Sequence, residues 1–306
     1  MKSATAILPV ASLPLRTRAA AFCELAKPRL NTMALLTAAI GFCLGSRAVL
    51  PASAATYDWW RLLHVLLGTF LTAGGSAALN MLAERKPDAV MRRTQERPLP
   101  TGRVTPSEAL VFGSLSCAAG VIYLVVTVNA LAGFLAAIAA LVYLAAYTPL
   151  KQKTWLCTLV GAVPGAMPPL IGWAAARGEL AAGAWVLFGI MFLWQLPHFM
   201  AIAWLYRDDY ARAGFPMLPV VDRCGTMTVS VVLVSMVALL AASVAPVFIG
   251  MTGAVYGTAA LLLGAGFLGG GIGLALERSM ATARRLFFES LIYLPALLGL
   301  LLWNTK

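Results

Sequence analysis

Charge is scarce in this 306-residue chain: 11% of its residues are Asp, Glu, Lys or Arg, against about 25% in an ordinary soluble domain. That deficit excludes a water-soluble globule. Histidine is scarcer still, with His64 and His198 alone, too few for a zinc site of the usual type. The five cysteines (Cys23, Cys43, Cys117, Cys157 and Cys224) include no CxxC pair. They read as reduced packing residues in or beside apolar segments. No Ser or Cys sits in a convincing nucleophilic triad, and no repeat or soluble domain stands out. Pro9 and Pro14 break the apolar stretch of the basic N-terminal region, and no small-residue cleavage site follows. Residues 1–25 therefore read as a flexible cytoplasmic tail rather than a cleaved leader.

What the chain has instead is apolar length: 60% of its residues are hydrophobic. About nine segments of spanning length follow one another, near 31–50, 62–83, 107–127, 129–147, 155–176, 183–206, 228–250, 253–276 and 286–303. Each suffices for a hydrocarbon core about 30 Å thick at a rise of about 1.5 Å per residue. Backbone groups in lipid must pair internally, so closed helices are expected and residues 26–306 read as one intramembrane domain. The expected fold is an all-α, polytopic membrane helix bundle.

Its orientation follows from the basic residues. With a cytoplasmic N-terminus, nineteen of the twenty-three Lys and Arg lie inside, leaving Arg47, Arg61, Arg177 and Lys306 outside. Acids follow them, with only Asp58 and Glu179 outside. The positive-inside rule does not demand that second bias. It points to an acidic site on the cytoplasmic side.

Three cytoplasmic loops carry the chemistry. In "NMLAERKPDAVMRRTQERPLP", residues 80–100, Asn80, Glu84 and Asp88 recur every four positions along one helical face. An amide and two carboxylates offer oxygen ligands, which suit Mg²⁺. Pro87 cannot donate to the carbonyl of Ala83, so the helix is expected to break there. Arg92, Arg93 and Arg97 follow, and arginine forks bind phosphate oxygens bidentately. The bland alternative for this loop is a solvated positive-inside segment. "YTPLKQKT", 147–154, adds Tyr147, Lys151 and Lys153. "WLYRDDYARAGFPMLPVVD", 204–222, adds Arg207, Asp208, Asp209, Tyr210 and Arg212.

Within the membrane, Trp194 and His198 share a helical face in "FLWQLPHFMAIAW", with Gln195 beside them. A satisfied structural histidine and a ligand-contacting one are both open readings. "GAVPGAMPPLIGWAA", 161–175, holds three prolines and three glycines. It is expected to form a bent, thin helix, either opening space for a large flat ligand or simply packing. "GAGFLG", 264–269, matches a dinucleotide-binding pattern by letter only, having no strand before it. Gly266 with Gly270, and Gly269 with Gly273, instead give small-residue spacing for close helix packing.

These stretches, together with "LAKPRLNTMALLTAAIGF", resemble the UbiA superfamily of intramembrane prenyltransferases, and within it the branch that farnesylates heme. The resemblance runs from about residue 25 to 222, and the WQLPHF stretch is its most specific part. It implies nine helices and transfer of farnesyl from farnesyl diphosphate to a vinyl group of heme B, with addition of water. It places Asn80, Glu84 and Asp88 at a first metal-binding motif and Asp209, with Asp208, at a second, Mg²⁺ being the cofactor. Arg92, Arg93, Arg97, Tyr147, Lys151 and Lys153 would receive diphosphate. His198, with Trp194 and Gln195, would bind heme, a substrate here rather than a redox cofactor. His198 precedes Asp209 by eleven residues, about 16 Å of ideal helix, a span that a porphyrin could bridge.

Glu84 stands where the superfamily usually has Asp, Lys86 where the heme branch often has a further Asp, and Gln152 where a basic residue is common. The implied setting is a bacterial inner membrane with the site open to the cytoplasm. The implied partners are the lipid bilayer and a downstream heme A synthase or terminal oxidase assembly, with no nucleic acid. Rival readings are a prenyltransferase acting on a quinone precursor or other aromatic acceptor, and a non-enzymatic transporter or assembly protein.

Overall fold

The computed structural model describes residues 14–47 and 57–305, and among these there is helix and no strand. In chain order the helices are α1 (Leu15–Leu25), α2 (Pro28–Arg47), α3 (Trp59–Ala83), α4 (Arg85–Val90) and α5 (Pro106–Thr127). Next comes α6 (Ala130–Leu141), which runs through a π-helical turn (Val142–Tyr147) into α7 (Thr148–Leu150). Then follow α8 (Cys157–Arg177), α9 (Ala182–Leu205), α10 (Arg207–Arg212), α11 (Leu218–Val221), α12 (Thr226–Phe248), α13 (Ala254–Glu277) and α14 (Met280–Asn304).

Local chemistry sets several boundaries. Thr105 and Glu108 form a reciprocal capping box with Pro106 in the first turn of α5, a strong start signal. Ser279 and Thr282 cap α14 in the same reciprocal way. Gly178, at φ +75°, ends α8 in the left-handed region that glycine enters without strain. The break expected near Pro87 falls at Glu84, between α3 and α4.

Eight helices among the described residues are long and apolar enough to cross a membrane. The expected span near 31–50 is helical as α2, but it is not one of the eight, its ends carrying Arg29, Asn31 and Arg47. Residues 48–50 of that span, and Lys306, lie outside the described residues. So do residues 1–13 of the expected tail, whose remainder, Leu15–Leu25, forms α1 and buries Ala21 and Leu25. The surface is inverted relative to a soluble protein. Leu115, Val126, Leu262 and Ile292 are 66%, 77%, 71% and 68% exposed, as a lipid-facing belt requires. The protein is an integral membrane protein.

Two apolar clusters fill the bundle. One joins α2, α3, α5, α6 and α8 through Phe42, Val65, Leu124 and Leu170. The other joins α9, α12, α13 and α14 through Ile190, Val232, Tyr256 and Leu297. α8 belongs to both: Leu170, Ile171 and Ala174 face the first cluster, Ala166 and Trp173 the second. Glycine lets α2 and α8 touch backbone to backbone. A Cβ at Gly41 would lie 2.1 Å from the Pro169 carbonyl oxygen, and one at Gly172 would lie 1.9 Å from that of Ala38.

One packing expectation needs correction, and of the two readings open for 161–175 the structure shows the packing one. Gly266, Gly269 and Gly273 have open space where a Cβ would sit, and only Gly270 of that set meets a neighbour, Glu289 of α14. The glycines of 161–175 open no space for a flat ligand: Tyr147 packs on Gly161, Gln195 on Gly165 and Ala38 on Gly172.

Candidate active site

The break at Glu84 and the short α4 turn the Asn80–Glu84–Asp88 series inward. All three are buried, at 2%, 1% and 0% exposure. Burying such groups is costly unless each finds a partner, and almost every oxygen does. Asn80 Nδ2 donates to Glu84 Oε1 and to Thr148 Oγ1, both at 3.1 Å. Lys151 Nζ binds Glu84 Oε2 at 2.8 Å, and Arg97 Nη1 binds Asp88 Oδ2 at 2.7 Å. Asp88 Oδ1 is buried without a hydrogen-bond partner.

The π-helical turn delivers the second loop. It advances the chain to Thr148, whose hydroxyl accepts from Asn80 and donates to the Tyr143 carbonyl at 2.8 Å. π turns occur often at functional sites because they re-aim the residues that follow. Tyr143 and Tyr147 stack 5.3 Å apart, and Lys151 Nζ lies 4.8 Å from the Phe215 ring and 5.9 Å from that of Tyr147. Burial would raise the Glu84 pKa, but Lys151 beside it holds the carboxyl below its ordinary value. Burial would likewise lower the Lys151 pKa, but Glu84 raises it, so the pair is ionic.

The third loop is joined through Arg93. Met91, 1% exposed, packs with Cys157, Ala203, Tyr210 and Phe215, anchoring the segment after α4 against the α9–α11 region. The Arg93 backbone N–H then donates to Asp209 Oδ2 at 3.3 Å, and its guanidinium to the Tyr210 hydroxyl at 3.3 Å. The guanidinium also lies 4.8 Å from the Tyr206 ring. Arg212 binds Asp209 Oδ1.

Two participants were not anticipated from the sequence, Lys27 and Thr148. Lys27, at the α1–α2 corner, places Nζ 3.4 Å from Asn80 Oδ1. Burial, then the nearby Arg97, push its pKa down to about 7. Its signal in the sequence was a lysine before a proline where the basic tail meets the first apolar run.

Several expected members lie elsewhere. Asp208 is not brought to the site: its side chain is 89% exposed, beside Arg207 at 3.8 Å. Arg92 and Lys153 are exposed at the rim. Among the described residues no three His, Cys, Asp or Glu side chains come together as a metal-binding group. The acids are paired with the protein's own cations, Glu84 with Lys151, Asp88 with Arg97 and Asp209 with Arg212. Deeper in α9 the expected heme set divides between two faces. Gln195 donates to the Met191 and Ala162 carbonyls, on the α8 side. His198 Nδ1 lies 2.7 Å from Ser290 Oγ of α14, and the ring stacks between Trp194 and Phe287.

The profile of the UbiA prenyltransferase family matches residues 34–294. The chain belongs to that family. It is similar to the protoheme IX farnesyltransferase of Solibacter usitatus, 46% identical over 287 residues, 92% of this chain and 97% of the relative. It is also similar to that of Salinibacter ruber, 44% identical over 278 residues, 91% and 96% of the two chains. Its fold is that of a solved digeranylgeranylglyceryl phosphate synthase, with TM-score 0.78 at 17% identity over 94% of this chain and 98% of that one. A UbiA homologue from Archaeoglobus fulgidus, solved with DMAPP and Mg²⁺, shares the fold at TM-score 0.63 and 14% identity, covering 92% of this chain and 98% of that one.

Proposed function

We propose that this family member transfers the farnesyl group of farnesyl diphosphate to a vinyl group of heme B, with addition of water, giving heme O and diphosphate. The observation that carries the reaction class is the buried Asn80–Glu84–Asp88 series, paired with Lys151 and Arg97 at one end of an apolar bundle, with Arg93 on the neighbouring Asp209 loop. The similarity to protoheme IX farnesyltransferases supports heme as acceptor.

The residues suit the chemistry. Farnesyl diphosphate loses its primary allylic C–O bond, and the electron pair leaves with diphosphate. Arg93, Arg97 and Lys151 are fixed cations that stabilise this departing charge. Tyr143 and Tyr147 supply ring faces beside them, and the apolar helices keep water from the allylic cation until the vinyl group attacks. Water then adds to the porphyrin-conjugated cation and a proton is lost, leaving a hydroxyfarnesylethyl side chain.

The all-oxygen donor set of Asn80, Glu84, Asp88 and Asp209, with the unpartnered Asp88 Oδ1, fits Mg²⁺. When bound there, Mg²⁺ supplies further neutralisation of the diphosphate charge. His198 orients heme through Nε2, since Nδ1 is engaged by Ser290. The site opens to the cytoplasm of a bacterial inner membrane, an orientation testable by reporter fusions at Lys306 and within 84–103, which should report opposite sides.

The test is incubation of the purified protein with heme B, farnesyl diphosphate and Mg²⁺, with products identified by mass. Heme O is the expected product. Farnesylation of an aromatic quinone precursor in place of heme would establish the alternative acceptor. In the same assay His198→Ala should weaken heme binding while leaving farnesyl diphosphate affinity unchanged. Unaltered heme affinity would make His198 a structural residue.

A further inference from the structure

The oxygens that suit a divalent ion are mostly engaged by side-chain cations. Asn80 can offer only Oδ1, because Nδ2 is committed to Glu84 and Thr148, and Lys27 Nζ faces that oxygen. Lys151 covers Glu84 Oε2, Arg97 covers Asp88 Oδ2 and Arg212 covers Asp209 Oδ1. Among these site oxygens, Asp88 Oδ1 is buried with no donor. A buried carboxylate oxygen without a partner is uncommon and needs a physical reason.

Lys27 is held in place at a cost. Its φ is +48°, in the left-handed region that a side chain disfavours. The corner around it is tied from several sides. Asn31 Nδ2 donates to the Ala26 carbonyl at 2.6 Å, and the amides of Leu30 and Asn31 donate to the Lys27 carbonyl. α1 is fastened by the pairs Arg18–Glu108 and Arg103–Glu24. Strain that the surroundings over-determine in this way tends to mark function.

Lys27 is also the cation most easily drawn away. Its contact is 3.4 Å, against 2.8 Å for Lys151 and 2.7 Å for Arg97. Its partner is a neutral amide, so its departure strands no buried carboxylate. Lys151 and Arg97 cannot leave without doing so.

The geometry points to Lys27 as a positioning residue that couples metal to diphosphate: its ammonium covers Asn80 Oδ1 until a diphosphate oxygen takes it over, and the freed oxygen then accepts the ion. This rests on the prenyl-transfer reading and adds to it an order of events. A divalent ion alone meets a site screened by Lys27. The same ion arriving with diphosphate meets an uncovered ligand.

The test uses the full-length protein in detergent micelles, Mn²⁺ as the probe followed by electron paramagnetic resonance, and inorganic pyrophosphate. Without pyrophosphate, Lys27→Met should bind Mn²⁺ several-fold more tightly than wild type. With Mn²⁺ present, its affinity for pyrophosphate should fall about tenfold, the equivalent of one charge-assisted hydrogen bond. Lys27→Arg keeps the charge and should retain wild-type behaviour in both measurements. In wild type itself pyrophosphate should strengthen Mn²⁺ binding, a measurement that needs no variant to fold. Mn²⁺ binding unchanged or weakened in Lys27→Met, or pyrophosphate affinity equal to wild type, overturns the assignment. Heme farnesylation by wild type is assayed separately: product without coupling removes the Lys27 role alone, whereas absence of product removes the transferase reading beneath it.

Discussion

The buried pair Glu84–Lys151 sets the electrostatics of the site. Glu84 is 2% and Lys151 11% exposed at the side chain, so removing one partner leaves a charge in a medium that cannot solvate it. Lys151→Met should lower stability by about 3–5 kcal/mol, and the double variant with Glu84→Gln should recover most of it. Thermal unfolding in detergent checks this, and equal midpoints for single and double variants would contradict it. At this scale the sequence was informative where spacing sufficed. The four-residue period placed Asn80, Glu84 and Asp88 on one face. It could not decide between Asp208 and Asp209, which are adjacent, because only the fold shows which of them points inward. Lys27 was illegible for another reason: its contact spans fifty-three residues and depends on a left-handed corner that no local pattern announces.

Helix packing turns on which face a glycine occupies. Gly41 and Gly45 of α2 are four residues apart and both press against α8. Gly269 and Gly273 of α13 have the same spacing and face open space. Spacing was readable in both helices; the partner was not, because uniformly apolar helices carry little signal for which side meets protein and which meets lipid. Gly172→Ala should therefore cost about 1–3 kcal/mol, the usual range for an overpacked contact. Gly266→Ala should leave the midpoint unchanged. Comparable losses for the two would contradict the α2–α8 contact. The break at Glu84 was the better-specified element, since a proline three residues on forbids the hydrogen bond that would have continued α3.

For the whole molecule, apolar length and loop charge were enough to indicate a membrane bundle with its acidic and basic loops gathered at one end. Division into two clusters was not legible, because nothing in the composition changes between them. That division has a consequence for how the protein could be assembled. The first cluster carries the 84–105 and 148–156 loops, the second carries Asp209, and Arg93 joins them. The loop 178–181 between α8 and α9 lies at the opposite end of both helices from these contacts. A chain divided there would leave every loop of the site intact but shared between two polypeptides. Segments 1–178 and 179–306, made together, should find one another through the α8 face that presents Ala166 and Trp173. Neither fragment alone should farnesylate heme, and recovered product on co-expression would serve as a reporter of their meeting in the bilayer.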